Sequence, residues 1–246
     1  MSPELSQPVH LADPERPFWG FAELLLIAAL FIPAVGIGGL AVRAGSPYLH
    51  FDAGAGLALL AAEFIGYAII FLALRLLFAR YHEPLLKSLG WIPQPFSVLN
   101  LIVLGVLLGV AMILLGSLMN FPNVETPFDN LLKDTASRIG IALFGVTFGP
   151  IVEELLFRGF LQPVLVDVMG VLPGILVTSV LFGALHLSQN AFIWQSGVLI
   201  TLVGFVLGVV RHISGSTRAS AITHISYNSL PFLLTFLLSG SHGSPK

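Results

Sequence analysis

Long apolar runs separated by short polar punctuation fill most of the 246-residue chain. A helix rising 1.5 Å per residue needs ~20 apolar residues to cross ~30 Å of hydrocarbon. Runs that qualify occupy 18–42, 53–78, 98–119, 139–168, 171–188, 192–210 and 219–238. They predict an all-α polytopic membrane bundle of about seven to eight transmembrane helices. The run 139–168 is too long for one straight crossing. Gly149-Pro150 inside it predicts a kink or a new helix start, because proline lacks the amide proton a helix interior needs. Segment 80–97 reads as an interfacial loop with a short amphipathic piece. Segment 120–137 reads as a polar loop carrying Glu125, Asp129, Lys133 and Asp134.

Composition supports the same class. The chain is 56% hydrophobic and only 10% charged, where soluble domains average about 25% charged. A net charge of -2 with no basic run gives no grip on nucleic acid, so the bilayer is the first expected partner. The absence of cysteine removes disulfides, a thiolate nucleophile and a Cys-ligated metal. The polar first 17 residues, with Glu4, Asp13, Glu15 and Arg16, lack the positive start and small-residue cleavage site of a removable signal. The expected layout is a tail over 1–17, motif-free spans over 18–119, a chemistry-bearing core over 139–238 and a tail over 239–246. With the N-terminus inside, Arg16, Arg75, Arg80, Lys87, Arg211 and Arg218 fall on the cytoplasmic side. Arg43, Lys133, Arg138 and Lys246 fall on the other, which leans towards an N-in protein of the cytoplasmic or inner membrane.

Ionisable groups inside a span are costly, so each one is a candidate for function. The candidates singled out within or close to the spans are Glu63, Glu153, Glu154, Arg158, His186 and His224, with Asn228 beside the last. Glu154 and Arg158 lie four apart and share a helix face. Glu153 is turned ~100° away on a helix of 3.6 residues per turn. Arg158 can therefore neutralise Glu154 and leave Glu153 facing elsewhere. Between this span and the next the only breakers are Gly170 and Pro173, which predict an antiparallel hairpin turning near 170. Glu153 lies 17 positions before Gly170 and His186 lies 16 after it, so the two reach one depth, ~24 Å from the turn. His224 and Asn228 share a face of the last span, whose helix is expected to start near Ser216 or Thr217. Glu63 has no nameable partner and reads as a helix-interface or cavity-lining residue.

A carboxylate beside a neutral imidazole can hold a water and take its proton, and a second imidazole with an amide N–H can donate to a developing oxyanion. A metal version is also open, with Glu153, His186 and His224 as ligands of a Zn²⁺ whose fourth position holds water. No His-Glu-x-x-His occurs, and no intramembrane aspartate pair.

Glu153-Glu154-x-x-x-Arg158, Phe182-x-x-x-His186 and His224-x-x-x-Asn228, in that order on successive spans, resemble the three motifs of the CPBP intramembrane proteases, the CAAX protease or Abi group that includes type II CAAX prenyl endopeptidases. The resemblance covers roughly 139–238. It implies an intramembrane endopeptidase acting on a peptide or protein substrate, with prenylated CAAX tails as one substrate class. It implies Glu153 as base, His186 as positioner of the water, and His224 with Asn228 as the oxyanion pair. It also implies Glu154, Arg158 and Phe182 as structural support of the site. A non-proteolytic immunity or scaffold protein of the same fold, and a proton-coupled transporter, are the alternative readings.

Overall fold

A computed structural model describes residues 17–49 and 56–241; of the tails expected over 1–17 and 239–246, only 17 and 239–241 fall among the described residues, the latter within the last helix. Every regular element among them is helical. The first two, α1 (Phe21–Leu49) and α2 (Gly56–Arg80), form an antiparallel pair. A single turn, α3 (Leu85–Ser88), is the only helix within 80–97 before α4 (Val98–Ser117). The polar segment after α4 folds into α5 (Pro127–Leu131) and leads into α6 (Thr135–Gly145). The motif-bearing half continues with α7 (Phe148–Glu154), a π turn (Leu155–Leu161), α8 (Gln162–Met169), α9 (Val171–Leu185), α10 (Trp194–Ser214) and α11 (Thr217–Ser241).

Four of these helices are long and apolar enough to cross a membrane: Phe21–Tyr48, Gly56–Arg80, Val98–Ser117 and Trp194–Ser214. A fifth is available if Thr135–Gly145 and Phe148–Met169, bent by 40°, count as one broken span. The expectation of seven to eight differs from this for physical reasons. The run 139–168 breaks at Val146–Thr147, and Pro150 falls in the first turn of α7, where its missing N–H costs no helical hydrogen bond. The run 171–188 yields only the 15-residue α9. In α11, serines, threonines, His224 and Asn228 dilute the apolar face.

Lipid-facing surface explains why so much apolar area stays uncovered. Leu25, Ile32, Leu40 and Leu114 are each more than 60% exposed, as side chains meeting hydrocarbon can be. Association between such helices rests on close backbone approach. A Cβ on Gly105 of α4 would overlap the Thr223 carbonyl of α11, and one on Gly183 of α9 would overlap the Thr201 hydroxyl of α10. Both glycines let a helix that bears a site histidine seat against its neighbour. A buried cluster of Trp19, Leu74, Phe78, Leu89, Phe160 and Val164 ties α1 and α2 to the π turn and α8, with the Trp19 indole N–H donating to the Phe160 carbonyl at 2.9 Å.

The start of α11 is pinned rather than capped. Ser216 donates its hydroxyl to the Ile92 carbonyl at 2.6 Å and Thr217 to the Leu89 carbonyl at 2.6 Å. These bonds fix the depth of His224, two turns further along.

Candidate active site

The π turn follows directly on Glu154, and with the preceding turn of α7 it sorts the three charges of this stretch. Arg158 donates Nη1 to Glu154 Oε1 at 3.0 Å and Nη2 to the Gly204 carbonyl of α10 at 2.9 Å. Neither Glu154 nor Arg158 is exposed at all. His224 of α11 places Nδ1 3.0 Å from the same Glu154 oxygen. An arginine-paired carboxylate only accepts, so the proton of this imidazole sits on Nδ1 and its Nε2 lone pair points away. Glu154 thus serves two partners, one in its own helix and one 70 residues later.

Glu153 turns the other way, into a cavity of about 490 Å³. Its Oε1 lies 3.9 Å from His186 Nε2 and its Oε2 lies 3.8 Å from His224 Nε2. Both gaps are too long for a direct hydrogen bond and suit a bridging water. His186 Nδ1 lies 2.7 Å from the Phe182 carbonyl, which can only accept. The proton is therefore on Nδ1, and Nε2 presents a lone pair to the same space as the Glu153 carboxylate. Phe182, 2% exposed, orders this arrangement. Its ring lies 4.6 Å from the His186 ring and 5.9 Å from the His224 ring, with the Arg158 guanidinium 4.5 Å from its centroid.

Asn228 also lines the cavity, and its amide donates to the Gly145 carbonyl at 2.7 Å. That bond fills an orphan acceptor at the C-terminus of α6 and orients the amide, whose second N–H remains for the cavity. The structure thus brings Glu153, His186, His224 and Asn228 to one cavity and keeps Glu154 and Arg158 behind it. The depth differs from a mid-helix position. His186 caps the C-terminus of α9, so the site lies under the loop that follows. There the Phe128 amide donates to the Gln189 carbonyl at 3.1 Å, and Phe128, Leu131, Leu132 and Gln189 close one end of the cavity.

Glu63, given no partner by sequence, lines this same cavity from α2, as do Tyr67 and Tyr227. The one signal for it was an isolated acid in an apolar helix. Among the described residues no group of three or more His, Cys, Asp and Glu side chains is arranged to hold a metal ion. Glu153, His186 and His224 together form a cluster able to hold a water and move its proton.

No curated protein and no solved structure matches the chain. Residues 135–230, from α6 into α11, match the family model of the Rce1-like type II CAAX prenyl endopeptidases. That stretch is under half of the chain and contains Glu153, His186, His224 and Asn228. Over it, the chain is similar to the type II CAAX prenyl endopeptidases, the group its three motifs resemble.

Proposed function

We propose that the protein is an intramembrane endopeptidase in which Glu153 activates a water molecule. The observation that carries this reading is the placement of Glu153 within 4 Å of two imidazole nitrogens whose lone pairs face it. A water between Glu153 and His186 can give one hydrogen to the carboxylate and the other to Nε2. Its own lone pair is then free to attack a peptide carbonyl. As the new carbon–oxygen bond forms, Glu153 takes the first proton. The resulting oxyanion is met by the free N–H of Asn228. It is also met by His224 once its Nε2 carries a proton. Collapse breaks the carbon–nitrogen bond, and the proton on Glu153 passes to the departing amine, restoring the carboxylate.

A membrane-associated peptide or protein is the substrate class, since the cavity lining is mainly apolar and the chain is membrane-embedded. A prenylated CAAX tail is the member of that class suggested by the similarity over 135–230. Reconstituted Glu153→Ala and His186→Ala proteins are expected to lose cleavage by about two to four orders of magnitude, as removal of a general base or its water-holder does. Wild-type cleavage by either folded variant would refute the mechanism. If Glu153→Gln instead restored a cellular phenotype without cleavage, the non-proteolytic scaffold reading would take its place.

A further inference from the structure

Glu63 stands on the wall of the active-site cavity and is not used by the chemistry above. It sits seven residues into α2, and Tyr67, four positions on, shares its face and lines the same cavity. Glu63 has no hydrogen bond or ion pair of its own among the described residues. Its surroundings are aromatic. Tyr67 stacks on Phe144 with centroids 6.5 Å apart, Phe144 lies 5.7 Å from Phe148, and Tyr227 lines the cavity as well. Among the described residues, no lysine or arginine lines the cavity.

We infer that Glu63 is a specificity-determining residue that receives a basic side chain, lysine or arginine, of the substrate close to the scissile bond. This rests on the proteolytic reading of the cavity. A carboxylate without a counter-ion, flanked by aromatic faces, attracts a cation through its charge and through the rings' negative faces. The same apolar walls accommodate the methylene stem of a lysine or arginine. An acidic substrate residue would meet two carboxylates, Glu63 and Glu153, with no lining cation to offset them. Reach is adequate. A sphere of the cavity's volume is ~10 Å across, room for about three extended residues at ~3.3–3.6 Å each.

The test is a ratio measured in two ways on the full-length protein in proteoliposomes. The probe is a set of membrane-anchored peptides carrying lysine, norleucine or glutamate in turn at each position of a common sequence. In cleavage, the wild type is expected to favour lysine over norleucine by at least about tenfold at one position near the cut, a modest charge-pair effect. Glu63→Gln should bring that ratio close to one, and Glu63→Lys should shift preference to the glutamate peptide. In binding, the Glu153→Gln protein should show the same lysine-to-norleucine preference by fluorescence anisotropy, and the Glu153→Gln/Glu63→Gln double variant should lose it. A lysine preference that survives Glu63→Gln, or no preference in the Glu153→Gln binding arm, overturns the assignment. Should Glu153→Ala cleave like wild type, the proteolytic mechanism falls, and the binding ratio still decides the role of Glu63.

Discussion

Removing one member of a buried ion pair leaves its partner uncompensated, and at this site that distinguishes Glu154 and Arg158 from Glu153. Arg158 is fully buried and bonds both Glu154 and the Gly204 carbonyl. Arg158→Ala is expected to cost ~3–5 kcal/mol, because Glu154 then stays buried without its arginine counter-ion. Glu153, with its side chain 26% exposed and no direct hydrogen bond, carries no such penalty. Thermal midpoints of the detergent-solubilised variants should therefore fall steeply for Arg158→Ala and barely move for Glu153→Ala. The reverse order would mean that the structural and chemical roles have been exchanged. Which glutamate is which was legible from helical spacing alone: the i, i+4 relation assigns Arg158 to Glu154 and leaves Glu153 over. The second partner of Glu154 was not legible, since His224 lies 70 positions away and meets it only through packing of α11 against α7. Backbone acceptors were equally hidden. Nothing in sequence marks the Gly145 carbonyl that holds Asn228, or the Phe182 carbonyl that sets the His186 tautomer.

Helix ends, more than helix middles, position the chemistry. The hairpin register of 17 residues before Gly170 and 16 after it matches the observed approach of Glu153 and His186, 3.9 Å apart. What the register could not show is that α9 stops at Leu185, or that the chain passes through a π turn just after Glu154. Seating of α9 on α10 depends on Gly183, three residues before His186. Gly183→Val should push the helices apart and lower kcat severalfold or more, with helical content by circular dichroism unchanged. Full activity in that variant would show that His186 does not depend on this contact. The cavity-closing turn α5 offers a pH-dependent readout. Thr126 and Asp129 form a reciprocal cap, and hydrogen bonds from the Thr126 amide and hydroxyl hold the Asp129 carboxyl below its ordinary value. A lowered folded-state value contributes stability above the unfolded one, and this is lost as pH falls through the folded value. Amide protection over 128–131, corrected for intrinsic exchange, should drop as pH falls into and below the carboxylate range, and Asp129→Asn should abolish that pH dependence.

At the scale of the molecule, the bundle has two unlike ends. One gathers Lys87, Gly90, Asp167, Arg211 and Gly215 around a shared surface pocket. The other gathers α5 and the 186–193 loop over the cavity that holds Glu153. If the basic end is cytoplasmic, as the positive-inside tendency suggests, the cavity-closing loops face the opposite side. The chain has no native cysteine, so single-cysteine labelling reports this directly. Lys87→Cys should react with an impermeant thiol reagent only from the cytoplasmic side, and Glu125→Cys only from the other; the opposite pattern would invert the protein. In the proposed mechanism Glu153 acts on a water and does not itself attack the peptide. A single turnover with excess enzyme in water labelled with heavy oxygen, followed by mass spectrometry of the product and of the enzyme peptide containing Glu153, tests this most directly. Attack by activated water places the heavy oxygen in the new product carboxylate and leaves Glu153 unlabelled, and heavy oxygen recovered in the Glu153 side chain would contradict it.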